Sequence, residues 1–319
     1  MSSDHHDSEL APDQITMVRD WTLIQHGIDR LSQGICVFNA DFRLALFNRN
    51  FLDLLEYPEE LIRIGLPFEE LLRFNAERGE FGPGDTETLI RERLELVRHA
   101  TEPHCFERTR PNGTVLEISG GPLPGGGFVS IYTDISHRKT LEDRLRFMAT
   151  RDNLTGLFNR GHFFELAEQE LERARRHGHP ISIVMLDVDH FKQFNDRYGH
   201  ATGDEVLRSL ADTLKKGLRS HDIPARFGGE EFLALLPETD HEEAFDVAER
   251  LRQRVEASPL RSDEHGTLTI TASLGVSSGH GDELPPLDRL IESADQGLYA
   301  SKKVGRNRVS RVDTGLGAT

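Results

Sequence analysis

Apolar residues recur along 15–33 at steps of three or four: Ile15, Val18, Trp21, Ile24, Ile28 and Leu31. That spacing places them on one face of a helix, which Gly34 should end. From Gly34 the period changes. GICVFNA and FRLALFN are short apolar runs parted at Asn39-Ala40-Asp41, which predicts strand, turn, strand. Short helices are expected at RNFLDLLEY, EELIRI and FEELLRFNAERG, and a longer one at ETLIRERLELVRHA, rich in i,i+4 charge pairs. Three strand candidates follow, HCFERTR, TVLEISG and GGFVSIYTDI, with Pro111-Asn112-Gly113 and the run Pro124 to Gly127 as hairpin turns. Together 34–136 predict one α+β unit of about 100 residues.

After Asp134 the helical period returns. Ile135, Leu141, Leu145 and Met148 form a narrow stripe over a linker helix, 137–150. Two heptads of that kind suit a short parallel coiled coil between two copies; a connector packed on its own domain is the other reading. The segment 151–311 then alternates helix and strand. HFFELAEQELERARRHG, GDEVLRSLADTLKKGLR, HEEAFDVAERLRQRVEAS and LDRLIESADQGLYASKKVG read as helices. ISIVMLDVD reads as a buried strand, IPARFGGEEFLALLPE as a hairpin around Gly228-Gly229, and TLTITASLGVSS as a strand. This order predicts an α/β unit, a mixed sheet flanked by helices. Residues 1–14 are acidic and small and should be disordered, with His5-His6 merely solvated, and 312–319 form a flexible tail.

At roughly 150 residues per domain, 319 residues fit two domains, each long enough for its own core. The net charge of −16 argues against nucleic acid and against an anionic membrane surface, both polyanions, but leaves room for a small phosphorylated ligand held by local cations or a metal. No run of about 18 apolar residues exists, so no membrane insertion is expected. Cys36 and Cys105 are too few for a disulfide framework or a four-ligand zinc site and fit a reducing compartment. The polar, acidic N-terminus is not a signal peptide, so the expected location is the cytoplasm.

Four acids carry the chemistry. Asp187 and Asp189, at i and i+2 near the end of an apolar strand, point to one face if the strand stays regular. Glu230 and Glu231 follow the Gly-Gly turn of the hairpin. If the two strands are neighbours, which a βαβ-type connection of about 40 residues permits, these carboxylates converge and repel unless a cation sits between them. Oxygen-only ligands suit Mg²⁺ or Mn²⁺ rather than zinc, and two such ions are the apparatus that activates a hydroxyl and stabilises a leaving phosphate. Gly228 and Gly229 would let a nucleotide approach the backbone. A hairpin with solvated acids is the bland alternative for Gly-Gly-Glu-Glu taken alone.

The stretch Arg226-Phe227-Gly228-Gly229-Glu230-Glu231-Phe232 resembles the signature of the GGDEF family of diguanylate cyclases, in its GGEEF form. Three further patterns, in order over about 150–311, resemble the same family: Asp152 to Arg160, Asp187 to Asp204, and Tyr299 to Asn307. The resemblance implies a palm-like nucleotidyl-cyclase domain that condenses two GTP into cyclic di-GMP and two pyrophosphates. It implies Asp187, the Val188 carbonyl and Glu230 as ligands of two Mg²⁺ (or Mn²⁺) ions, with Glu231 as an additional catalytic acid. Asn195 and Asp204 are implied guanine readers, with donors and acceptors that complement a purine edge. Lys302 and Arg306 are implied phosphate contacts, at an i,i+4 spacing that would put both on one helix face. The backbone N–H groups from Asp189 through His190 and Phe191 to Lys192 can hold the β- and γ-phosphates. Arg219 to Asp222, Arg-x-x-Asp, resembles the family's product-inhibition site, to which Arg250 would add a second guanidinium. Each site holds one GTP, so catalysis implies a homodimer.

The N-terminal half, roughly 20–136, resembles a PAS sensor domain, an antiparallel sheet with helices. The resemblance rests on Gly34 to Phe38, Phe42 to Phe51, Pro111-Asn112-Gly113 and Thr133-Asp134-Ile135. Its ligand is unknown: no flavin-adduct cysteine motif is present, Cys36 and Cys105 read as packing residues, and His26, His104 and His137 are lone histidines. The whole then reads as a PAS-regulated cyclase. An inactive GGDEF-like receptor for GTP or cyclic di-GMP, and another palm-type cyclase or polymerase, are the alternatives; the intact residue set argues against the first and the acidic surface against the second.

Overall fold

The structure is a computed structural model, and it describes residues 22–262 and 266–311. The chain divides into two compact units between Asp143 and Arg144.

In the first unit five antiparallel strands stand in the order β2 (Leu44–Phe47), β1 (Gly34–Phe38), β5 (Phe128–Asp134), β4 (Val115–Pro122), β3 (His104–Thr109). Strand β1 alternates buried and half-buried residues, the period-two signature of a sheet with one covered face. Helices α2 (Arg49–Leu55), α3 (Phe68–Glu77) and α4 (Thr86–Arg98) accompany this sheet, and Phe38, Phe51, Leu71, Ile118 and Phe128 belong to one shared core. The element order is the one expected, with three corrections.

Helix α1 covers the described residues 22–28, not the whole span to Gly34; the part of that expected helix before 22, and the tail 1–14, lie outside the described residues. The stop has a cause. Asn48, 1% exposed, donates to the carbonyls of Ile28 and Gln33 at 2.9 and 2.8 Å, and accepts from the N–H groups of Ile35 and Phe51. One side chain thus ends α1, caps α2 and ties both to β1. EELIRI forms turns rather than a helix, since Pro58 and Gly65 leave too short a segment to propagate one. Ile135 does not belong to an exposed stripe. It is buried, and its N–H donates to Val115 ahead of α5 (Ser136–Thr150). Leu141, Leu145, Phe147 and Met148 are 44–65% exposed along α5. Cys36 packs in the core, where burial pushes its thiol up to about 12, but Cys105 is exposed on β3 and is not a core residue. No described helix is long and apolar enough to cross a membrane.

In the second unit the sheet order is β12 (Val309–Arg311), β11 (Ala272–His280), β6 (Pro180–Val188), β8 (Glu231–Pro237), β7 (Ile223–Gly228). It is mixed: β11 and β12 run parallel and the other neighbours antiparallel. Strand β6 is buried on both faces. Ile181, Ile183 and Met185 join the core with α6 (Arg160–His177) and α9 (Leu287–Lys303), while Val184, Leu186 and Val188 join that with α7 (Phe191–Gly217) and α8 (His241–Glu256). Alternation along one strand therefore builds a three-layer sandwich. TLTITASLGVSS is two elements, β10 (Gly266–Leu268), paired with β9 (Leu260–Ser262), and then β11. Helix α9 lies very close to β11: a Cβ on Gly275 would sit 2.0 Å from the Ala294 carbonyl oxygen. Only glycine lets that helix reach the sheet.

Candidate active site

Antiparallel pairing of β6 with β8 sets Asp187 directly opposite Glu231. Gly229, at φ 48°, and Glu230 form the tight turn between β7 and β8. The Val188 N–H donates to the Glu230 carbonyl at 3.4 Å, which holds that turn against the end of β6. The strands that carry Asp187 and Glu231 are therefore neighbours, as expected, though they run antiparallel and not parallel as a βαβ-type connection would set them.

Burial raises the Asp187, Glu230 and Glu231 carboxyls above the ordinary range, and the charge on Asp187 raises the two glutamates further. The Lys302 ammonium, 2.9 Å from Asp187 Oδ2, opposes all three shifts, with Arg306 adding to it at Asp187 and Arg160 at Glu231. Among the described residues no three His, Cys, Asp or Glu side chains are gathered as they would be around a bound ion. The donor set still fits a hard cation: carboxylates and a carbonyl, no nitrogen or sulfur, with a positive charge already drawn to Asp187. A Cβ on Gly228 or Gly229 would meet nothing within 4 Å, so open space lies above both.

Asp189 does not join the cluster. β6 ends at Val188, and Asp189 turns away to accept from the hydroxyls of Thr271 and Ser273, at 2.7 and 2.6 Å, and from the Asn307 N–H at 3.0 Å. Its own N–H donates to the Thr271 carbonyl, so it is not free to hold a phosphate. The expected cradle is thereby reduced to the N–H groups at His190, Phe191 and Lys192. His190 adopts a left-handed conformation, φ 59°, and α7 starts immediately after it with first-turn N–H groups that no intrahelical carbonyl can take.

Helix α7 breaks at Gly199, φ 83°, which divides Asn195 from Asp204. The break folds the second segment back: a Cβ on Gly203 would lie 1.8 Å from Asn195 Oδ1, an oxygen that is buried without a hydrogen-bond partner among the described residues. Asn195 thus abuts the residue before Asp204. Lys302 lies in the last turn of α9, but Arg306 does not share its face. The helix ends at Lys303, Gly305 takes φ 121° and Arg306 φ 64°, and the Arg306 N–H closes the end on the Ser301 carbonyl. Arg306 nevertheless contributes to lowering the Asp187 carboxyl.

Two residues at this site had no assigned role in the sequence reading. Arg226 Nη1 lies 3.2 Å from both carboxylate oxygens of Asp152, while its Nε and Nη2 donate to the Gly229 carbonyl at 3.0 and 2.7 Å. Asp152 also accepts from the Thr155 N–H and hydroxyl. The signature turn is therefore clamped to the segment that follows α5. The sequence signal was there, an Arg two positions before Gly228 and an Asp in the entry motif, but nothing local pairs residues 74 positions apart.

Arg219, Asp222 and Arg250 come together elsewhere on this unit. Asp222 Oδ2 accepts from the Arg219 N–H at 2.7 Å, while Oδ1, buried without a hydrogen-bond partner among the described residues, lies 3.8 Å from His221 Nε2. Burial raises this carboxyl, while the Arg219 N–H bond and the charges of His221, Arg219 and Arg250 pull it down.

Residues 149–308 match the diguanylate cyclase, GGDEF domain family, and 28–143 match a PAS fold. The chain belongs to the diguanylate cyclase GGDEF-domain family, with the PAS fold preceding the catalytic domain. It is similar to Response regulator PleD of Caulobacter vibrioides (41% identical over 180 residues, 56% of this chain and 39% of that protein) and to Diguanylate cyclase DgcP of Pseudomonas aeruginosa (44% over 169 residues, 53% and 25%). The chain thus matches less than half the length of these curated relatives. Among solved structures it is similar to the coiled coil and GGDEF domain of DgcB from Caulobacter crescentus in complex with c-di-GMP, at TM-score 0.52 and 32% identity, covering 56% of this chain and 93% of that one. Diguanylate cyclase SiaD of Pseudomonas aeruginosa, solved with its activator SiaC, matches at TM-score 0.50 and 38% identity, covering 55% and 66%.

Proposed function

We propose that the catalytic unit condenses two GTP into cyclic di-GMP. The observation that carries the reading is the placement of Asp187 opposite Glu231 with Glu230 beside it, carboxyls raised by burial, with the Lys302 ammonium 2.9 Å from Asp187. Asp187, the Val188 carbonyl and Glu230 would hold two Mg²⁺ or Mn²⁺ ions, which when bound supply charge neutralisation at the α-phosphate and the leaving pyrophosphate and acidify the attacking hydroxyl. Lys302 and Arg306 bind phosphate oxygens, and the N–H groups of His190 to Lys192 take the terminal phosphates. Asn195 and Asp204 read guanine; the orphaned Asn195 oxygen is the kind of buried group that a ligand donor satisfies. The 3′-oxygen of one GTP bonds to the α-phosphorus of the other, the α–β bridging bond breaks and pyrophosphate leaves; the reciprocal attack closes the ring and releases the second pyrophosphate. Glu231 is the carboxylate placed to take the 3′-hydroxyl proton. Each protomer holds one nucleotide, so the reaction needs two protomers face to face, with the exposed apolar side chains of α5 as the dimer seam and the PAS unit biasing its register. Cyclic di-GMP would bind at Arg219, Asp222 and Arg250 as an inhibitor.

The test is chromatographic analysis of GTP incubated with the parent and with Asp187→Asn and Glu230→Gln. Cyclic di-GMP and pyrophosphate from the parent, and a loss of about a thousandfold in each variant, are expected. Near-parental synthesis by either variant sinks the ligand assignment. No product from the parent, with nucleotide still bound, replaces the enzyme by a receptor.

A further inference from the structure

The first unit contains a cavity of about 450 Å³ among α3, α4 and strands β3 to β5, within the range of small-molecule sites, roughly 300–1,000 Å³. Most of its wall is apolar, with Phe68, Leu71, Val97, Ile118 and Phe128 among the lining residues. Two of its lining side chains are arginines with few polar partners among the described residues. The Arg93 guanidinium stacks 3.8 Å over the Phe81 ring, and its one hydrogen bond among the described residues goes to the Leu89 carbonyl at 3.3 Å. Arg108 reaches Glu80 only at 3.7 Å, and its Nε is buried with no hydrogen-bond partner among the described residues.

Glu80 is shared. Its Oε1 accepts from Arg110 at 2.9 Å and pairs with Arg78 at 3.4 Å, its Oε2 faces Arg108 at 3.7 Å without a hydrogen-bond partner among the described residues, and Arg110 draws in Glu56 as well. Four guanidiniums, Arg78, Arg93, Arg108 and Arg110, therefore share two carboxylates, Glu56 and Glu80. The other acids nearby, Glu92 beside Arg93 and Glu102 among the lining residues, are both exposed. Burial and the neighbouring Arg108 hold the Arg93 guanidinium below its ordinary value, the mark of a cation short of a counter-ion. His104, Ser130 and Tyr132 also line the cavity; His26 and His137 are exposed and take no part.

A partly desolvated cation pair beside an apolar pocket is stabilised by an anion that brings an apolar body with it. We propose that this cavity binds a small amphipathic monocarboxylate, with its headgroup on Arg93 and Arg108 and its body against Phe68, Leu71, Ile118 and Phe128. A carboxylate matches the planar fork of a guanidinium. The site is independent of the nucleotide chemistry, and its failure would leave that reading untouched.

Calorimetric titration of the full chain tests it, with octanoate and 4-phenylbutyrate as probes and 1-octanol and octylamine as controls with the same kind of apolar body. The carboxylates should bind at least about tenfold more tightly than the alcohol, and the amine not at all. Arg93→Met should weaken octanoate by at least about tenfold. Arg108→Met should do the same, but it also disturbs Glu80, so Arg93→Met, which breaks no ion pair, is the deciding variant. Val97→Trp keeps both guanidiniums and fills the cavity, and should abolish binding with the melting temperature retained. Equal affinity for acid and alcohol, unchanged binding in Arg93→Met, octanoate still held by Val97→Trp, or no binding of either acid overturns the proposal.

Discussion

Truncating Arg226 tests how the signature turn is held. Its guanidinium makes two contacts of 3.2 Å to Asp152 and two bonds to the Gly229 carbonyl, with the Arg226 and Asp152 side chains only 17% and 22% exposed. Hydrogen bonds to charged groups contribute about 1.5–3 kcal/mol each in mutational series. Asp152 keeps its Thr155 bonds and the Gly229 carbonyl can turn to water, so the loss for Arg226→Met should be about 2–3 kcal/mol, below the sum. A double-mutant cycle with Asp152→Asn should give a coupling of about 1–2 kcal/mol. Burial pushes the Asp152 carboxyl up, but its bonds to Thr155 and the charge of Arg226 outweigh that and hold it below the usual range. Its contribution is therefore present above the ordinary carboxylate pKa and is lost as pH falls through the depressed one, so the coupling should fade below about pH 4. Hydrogen exchange of peptides covering 223–237 across a urea series reads the catalytic unit by itself. In turnover, a loosened Glu230 should lower kcat by about a hundredfold while the KM for GTP changes little. Additive single-variant effects, within about 0.3 kcal/mol, would refute the clamp.

Asn48→Ala removes four bonds from a fully buried side chain and should cost the first unit about 3–5 kcal/mol, read by hydrogen exchange in β1 and α2. In chelated protein Glu230→Gln should raise the melting temperature at neutral pH. The folded state raises that carboxyl, so its ionised form opposes folding above the ordinary carboxylate pKa, and the gain should vanish below about pH 4. Leu145→Glu on the exposed face of α5 should shift the sedimentation profile toward monomer and lower specific activity at dilute protein, with both units still folded.

Local pattern carried most of the architecture. Period-two and period-3.6 stretches, with Gly and Pro between them, specify the strands and helices of both units because each element must bury one face. Four motifs in order specify the catalytic family, since Asp187, Glu230 and Asn195 are legible as residue types at fixed spacings. What the pattern left open depends on partners far away in sequence. Asp189 shares the i, i+2 spacing with Asp187, yet Thr271, Ser273 and Asn307 draw it to the other side. Arg306 sits four residues after Lys302, yet the helix ends between them, at Lys303. Ile135 fits a heptad stripe, yet it is buried and its N–H is bonded to the Val115 carbonyl of β4. In each case an equally good local choice existed, and a hydrogen bond or a buried surface supplied by another part of the sheet decided it. The Arg226–Asp152 clamp and the unbalanced arginines of the first unit are of the same kind. Charge pairing is a property of positions in space, and only the folded chain says which guanidinium finds a carboxylate and which is left waiting for one.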